Sequence, residues 1–441
     1  MVAVVNDPKL LADFLSRRKA LIFDYASGAR TTVRKLLTTH GMPAKNISSA
    51  DSYEEALEKL ATLKPQIAFI DYELKAGQNG LDFFKAFKAL HPNRVETLFF
   101  LISEKGSDSL ASRIAEEEVD SLVVRPFTYV SFEELFLEIV VTKIKPTDYL
   151  KIIEEGKTLL AANKAQEALT LFAKAKTLDP KPGLACYHEG MAYKALNQLD
   201  KMRACFEEGL ETDPIHYKCL FGLFDLLMEA KDHKAAYAIG AKINQNHPIN
   251  PNRIPDFVRL SVVNKYYDDI LNYYQIFATL DESDANIALY IAAGLVICAK
   301  ALLKSGNVKD ALNALTKAET VCQKKPSVLK EILLTLFSGE QFDEAERRLS
   351  KYPDEVKNAP EILVAELTAL EKRAQPAQIL QRCLDVIKQG VKQFQIYDIA
   401  IKQSVTLKRG KSTIEELIQD AGAAFPDKTN HFQNLLPKDY S

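Results

Sequence analysis

Over the first 145 residues, short unbroken apolar runs alternate with amphipathic stretches, and that alternation sets the first expectation. The runs are Ala20-Leu21-Ile22-Phe23, Gln66-Ile67-Ala68-Phe69-Ile70, Thr97-Leu98-Phe99-Phe100-Leu101-Ile102 and Ser121-Leu122-Val123-Val124. Runs this short and apolar read as strands buried on both faces of a parallel sheet. A fifth strand is expected at 46–49, and the stretches between carry helical spacing at 27–39, 51–63, 80–90, 107–118 and 131–142. Asp51 is expected to cap the second of these helices, with Glu54 completing a capping box. Five strands alternating with five helices predict a doubly wound five-stranded parallel α/β domain over 19–145. Residues 1–18 form an N-terminal extension with a short helix at 8–16.

From 147 the strand signal stops and everything is helical. Pro180, Pro214 and Pro248 stand 34 apart, as do Phe172 and Phe206, and Gly156 and Gly190; Ala168 and Ala236 stand at twice that interval. This period is the signature of tetratricopeptide repeats, stacked helix-turn-helix units that form a solenoid with a concave binding surface. Three repeats are expected at 149–182, 183–216 and 217–250, a drifted fourth at 251–284, and two more to about 356, with Ala311 and Ala345 again 34 apart. Four further helices to Ala424 complete an all-α repeat domain over 147–425, and a weakly ordered tail follows at 426–441. Phe172, Phe206 and Tyr193 are assigned to the core. The groove-facing positions by register include Ile153, Lys157, Tyr187, Met191, Lys194, Phe221, Asp225 and Met228, a surface with few cations. Of these, Tyr187, Met191, Lys194, Phe221 and Asp225 are the candidate contacts for an unknown protein client. Pro146 leaves only a short linker between the two domains, which implies mechanical coupling.

In open α/β sheets the ligand crevice lies at the carboxyl ends of the strands. Asp24, Asp71, Ser103 and Arg125 all follow strands there. With Asn79-Gly80 and Arg125-Pro126-Phe127-Thr128, these residues make the stretch 19–143 resemble the receiver domain of two-component response regulators, a flavodoxin-like fold. The resemblance implies that Asp71 accepts a phosphoryl group from a histidine kinase or phosphotransfer protein. It also implies that Ser103 and the cation at 125 bind the phosphoryl oxygens, and that acids after the first strand hold magnesium. Candidate metal ligands are then Asp24, Asp71 and Glu73, the last replacing an acid whose place is taken by Tyr25. The family's lysine is Arg125, and its aromatic three residues earlier is Leu122. Arginine keeps the charge but presents a planar fork, so Arg125 is either a phosphoryl ligand or a permanent partner of Asp71. Two functions follow: a phosphorylation-controlled signalling adaptor, or a phosphorylation-independent scaffold whose receiver-like domain docks or dimerises.

Composition narrows the field. The chain has 441 residues, and 57 Lys plus Arg against 59 Asp plus Glu give a net charge of -2. Nucleic acid as a principal partner is disfavoured. No run of some 18 consecutive apolar residues suggests membrane insertion, and the first residues lack a signal-peptide pattern. The six cysteines, without Cys-x-x-Cys spacing, suggest reduced, mostly buried thiols and a cytoplasmic setting. The seven histidines lack metal-ligand spacing, and most are expected at surfaces or helix ends. No phosphate loop, zinc cluster or nucleophile elbow suggests an enzyme.

Overall fold

In the computed structural model, which describes residues 8–74, 78–280, 284–437 and 440, the chain divides into two units, residues 1–253 and 254–441. The first unit opens with α1 (Pro8–Ser16), β1 (Ala20–Phe23), α2 (Ser27–Thr39), β2 (Ile47–Ala50), α3 (Tyr53–Leu63), β3 (Ile67–Asp71), α4 (Gly80–Leu90), β4 (Leu98–Ser103), α5 (Asp108–Glu117), β5 (Ser121–Val124) and α6 (Tyr129–Ile144). The five strands are parallel in the order β2-β1-β3-β4-β5. This is the flavodoxin-like order, with its switch point between β1 and β3.

Alternation along the strands sorts the core into two layers. Ile22, Phe69, Phe100 and Ile102 meet α1, α2 and α6 on one face, where Phe69 stacks on Phe100 at 4.7 Å. Leu21, Phe23, Ile70, Phe99 and Leu101 meet α3, α4 and α5 on the other. The sequence treats α1 as an extension, but Leu11, Phe14 and Leu15 are buried in the first of these layers. The helix is therefore part of the α/β core. Its end is fastened by Arg18, which lies over the Phe14 ring at 3.5 Å and donates to the Phe14 carbonyl at 2.7 Å. The expected cap of α3 is one residue out: Ser52, not Asp51, accepts the helix N–H, from Glu55 at 3.2 Å, and the Glu55 carboxylate takes the Asp51 N–H at 3.0 Å.

The first unit continues as three helical hairpins: α7 (Asp148–Ala161) with α8 (Ala165–Lys176), α9 (Gly183–Ala195) with α10 (Leu199–Thr212), and α11 (Tyr217–Glu229) with α12 (His233–Asn246). Gly156 and Gly190 recur because each faces a phenylalanine of its own hairpin. A Cβ on Gly156 would stand 2.4 Å from the Phe172 ring, and one on Gly190 2.5 Å from Phe206. Both rings are fully buried. Tyr193, expected in the core, is only half-buried, with the Lys201 ammonium 5.4 Å from its ring centre. The turns inside these hairpins repeat as well: Asn163, Asn197 and Lys231 all adopt positive φ, at 61°, 56° and 59°, again 34 apart. Left-handed backbone at a hairpin turn suits asparagine better than most residues.

The second unit holds α13 (Ile254–Asn264), α14 (Asp268–Ala278), α15 (Ala285–Lys304), α16 (Val308–Val321), α17 (Pro326–Ser338), α18 (Phe342–Leu349), α19 (Asp354–Lys357), α20 (Pro360–Leu370), α21 (Pro376–Lys388), α22 (Phe394–Thr406), α23 (Lys411–Ala424) and α24 (Thr429–Asn434). Its left-handed turn residues explain why the period drifts. Lys265 and Gly306 are 41 apart, whereas Gly306 and Glu340 are 34 apart again. The surplus of seven residues is two helical turns, and α15 has 20 residues where α17 has 13. That length also bears on the expectation about membrane spans without overturning it. By length and composition α15 is apolar enough to cross a membrane, but half of its most apolar window is buried within the unit. The sequence test fails because Asn286 and Lys300 interrupt the run, and a long core helix of a solenoid passes the length test equally well. The tail is corrected: α24 forms, and Phe432 is fully buried against Tyr397, Ile401 and Ile414.

Candidate functional site

Parallel register brings the expected residues to one edge. Phe23 pairs with Ile70, Asp71 with Ile102, and Ser103 with Val124, so Asp24, Asp71, Ser103 and Arg125 emerge together. Asp24 is fully buried and Asp71 nearly so. The Arg125 guanidinium is ion-paired to both, to Asp24 through Nη2 and to Asp71 at 3.4 Å through Nη1. Asp24 also accepts the Ala26 N–H at 2.8 Å, and Asp71 that of Glu73 at 3.2 Å. Two carboxylates thus share one cation away from water. Burial pushes the Asp71 carboxyl up to about 7, with Asp24 adding to the rise and Arg125 opposing it. Burial raises Asp24 too, against its Ala26 hydrogen bond and Arg125.

Glu73 does not join the pair. Its carboxylate accepts the Ser103 hydroxyl at 2.6 Å and the Glu104 N–H at 3.3 Å. Tyr25, in the place of an acid, turns its ring edge-on to Phe23 at 5.6 Å and packs with the α3, α4 and α5 layer. Among the described residues no group of three or more His, Cys, Asp or Glu side chains is placed to hold a metal ion. With a guanidinium seated on Asp24 and Asp71, and Glu73 engaged elsewhere, this arrangement does not fit magnesium. The segment from Lys75 to Gly77 lies outside the described residues.

A second charged cluster went unread in the sequence, and it joins the α/β domain to the repeats. The end of α5 carries Glu116-Glu117, and Glu118 follows with a left-handed backbone at φ 66°. Glu118 is ion-paired to Lys157 of α7 at 3.1 Å and to Lys218 of α11 at 3.2 Å, with His188 of α9 at 3.9 Å. Glu116 pairs with Arg253 at 2.6 Å and accepts from Asn250, while its carbonyl accepts from Lys218 at 2.8 Å. Tyr217 donates to the Ser112 carbonyl at 3.3 Å, and the Arg94 N–H to Glu154 at 2.9 Å. Burial pushes the Glu118 carboxyl up, but Lys157 and Lys218 outweigh it and hold it well below the carboxylate range. His188 departs from the expectation that most histidines lie at surfaces or helix ends: it is buried, pushed down to about 3 by that burial, and its Nε2 lacks a hydrogen-bond partner.

The candidate client residues surround this contact. Tyr187, Met191, Lys194, Phe221 and Asp225 line one cleft of about 270 Å³ whose other wall is Glu116 and Glu117. Lys218 lies over the Tyr187 ring at 5.6 Å and Arg253 over Phe221 at 5.0 Å. Asp225 is ion-paired to Arg253, and Lys194 to Glu229 at 3.0 Å. Ile153, at the equivalent register, is buried instead. The expectation of a groove with few cations is corrected, because Lys218 and Arg253 fall outside the register positions considered. Three consecutive glutamates at the end of α5 were the available signal, but a charge run is more often a solvated face.

Comparison with known proteins bears on the repeats. A family model described as Tetratricopeptide repeat matches residues 184–216, the α9–α10 hairpin. No curated protein sequence matches the chain. Among solved structures, MamA from AMB-1 is 18% identical over 39% of this chain and 90% of its own, with a TM-score of 0.30. A tetratricopeptide repeat protein from Parabacteroides merdae is 11% identical over 58% and 98%, with a TM-score of 0.30. A structure titled as the two-component response regulator RcsB in complex with DNA is 13% identical over 48% and 98%, with a TM-score of 0.25. The family match places a tetratricopeptide repeat at 184–216, within the helical region that follows the five-stranded parallel α/β domain.

Proposed function

We propose that the chain is a protein-binding scaffold whose α/β domain, receiver-like in shape, acts independently of phosphorylation as a fixed docking element on the first three repeats. Arg125 carries the reading: it is ion-paired to Asp24 and Asp71 at once. Phosphoryl transfer requires a free nucleophilic carboxylate and concentrated positive charge on the incoming group. Here the acceptor is committed to a guanidinium, and burial raises its carboxyl to about 7. The six buried thiols suit a reducing compartment such as the cytoplasm, and repeats of this type hold protein partners.

The second reading is a histidine kinase acting on Asp71. It is favoured by the convergence of Asp24, Asp71 and Ser103, and it requires Arg125 to leave Asp71. Intact-mass analysis after incubation with acetyl phosphate and magnesium separates the two, with Asp71→Asn as control. The docking reading expects no adduct on either protein. A phosphoryl adduct on the parent that is absent from the variant overturns it.

A further inference from the structure

The α/β domain does more than touch the repeats: its Glu116–Glu118 corner fills the part of the solenoid where a ligand would sit. The helices α7, α9 and α11 supply the concave positions, and each sends a side chain to this corner, through Lys157, His188 and Lys218. The floor is aromatic, with Tyr187, Tyr217 and Phe221 beneath Lys218 and Arg253. If the corner were withdrawn, Lys218 would lose its carboxylate and carbonyl partners, while Lys157 would keep Glu154 at 2.6 Å and Arg253 would keep Asp225, each with donors to spare.

Such a set has a defined preference. Carboxylates satisfy it with charge-assisted hydrogen bonds, and the aromatic floor takes the aliphatic stem of a glutamate. The buried His188 Nε2 lies 3.9 Å from Glu118 and has no hydrogen-bond partner. We infer that Glu116–Glu118 is a tethered occupant of a ligand groove, and that the groove's external ligand is an acidic polypeptide segment carrying consecutive carboxylates. This rests on the docking reading above.

A tethered occupant competes at millimolar effective concentration. An external segment therefore binds the intact chain weakly and gains when the tethered carboxylates are neutralised. The probe is a fluorescein-labelled peptide of residues 108–120 of this chain, and the control peptide has its three glutamates replaced by glutamine. Anisotropy titrations use the full-length parent and Glu116→Gln/Glu118→Gln. The double variant is expected to bind the acidic peptide about tenfold or more tighter than the parent. The glutamine peptide is expected not to bind, and Lys218→Glu in the same background should abolish the gain. Should the double variant unfold, Glu116→Gln alone serves, since its side chain pairs with Arg253 at the rim.

No gain on neutralising the corner, or equal binding of the glutamine peptide, overturns the inference. Either result is distinguishable from failure of the docking reading, which shows as a phosphoryl adduct on Asp71.

Discussion

The α/β domain buries two carboxylate clusters, and they differ in how much countercharge meets the buried acid. At the strand ends, Asp24 and Asp71 share the single guanidinium of Arg125, and burial leaves the Asp71 carboxyl raised to about 7. At the end of α5, Glu118 meets Lys157 and Lys218, with Lys88 also near, and stays ionised despite burial. A buried carboxylate is costly unless countercharge surrounds it. The strand-end cluster is short of cations; the α5 cluster is rich in them. The place that resembles a reactive site is therefore the less satisfied one, while the place that resembles a solvated charge run is the one that joins two domains.

Removing a cation should expose the difference most. Arg125→Gln leaves two buried acids without countercharge and is expected to cost about 3–5 kcal/mol at pH 8. The loss should shrink toward pH 5, as the raised Asp71 carboxyl protonates; equal losses at both pH values would refute shared charge at that edge. Glu118→Gln leaves Lys157 and Lys218 facing a neutral amide and is expected to cost about 3 kcal/mol at pH 7 by urea unfolding. Its pH dependence has the same sign but lies in a more acidic window. A carboxyl held below its ordinary value contributes stability above that value and loses it as pH falls. The gap between parent and Glu118→Gln should therefore close in acid, below the ordinary 4.5.

Asp71→Asn should act in the other direction. A carboxyl raised from 3.8 to about 7 favours the folded state when protonated, and that contribution is lost as pH rises through the raised value. The variant is expected to be more stable than the parent at pH 8, by about 1 kcal/mol, with no gain at pH 4. A loss of stability at pH 8 would place the excess charge elsewhere.

The smallest effect tests local reading rather than charge. Ser52→Ala is expected to lower stability by about 1 kcal/mol, and Asp51→Ala by much less, because Ser52 accepts the α3 N–H. Thermal melts of the two variants check it. From sequence alone Asp51 looks equally suitable, because both types cap well and the choice depends on which residue the chain leaves extended. Helix and strand order were legible because the apolar runs are short and their partners lie one βαβ unit away. The convergence of Asp24, Asp71, Ser103 and Arg125 was legible for the same reason, since parallel register fixes where strands end. What Arg125 does there was not legible, because arginine at that position suits either a phosphoryl oxygen or two carboxylates.

The α5 contact was beyond reach for a different reason. It links Glu118 to Lys157 and Lys218, and Glu116 to Arg253. Those pairs depend on how one domain is turned against another, which no local period encodes. The two-turn extension of α15 left a trace in the sequence as a drift in the repeat. Its meaning emerged only when the left-handed turns at Lys265, Gly306 and Glu340 marked the register.

Hydrogen exchange across α5 in the full-length chain tests the central claim most directly, with the parent, the parent plus acetyl phosphate and magnesium, and Lys218→Glu compared at pH 7. The account predicts that amides of Leu110 to Glu118 are equally protected in the first two samples and lose about tenfold or more in the variant, while β1, β3 and β4 stay protected. Unchanged protection in Lys218→Glu, or a change with the phosphodonor, would contradict it.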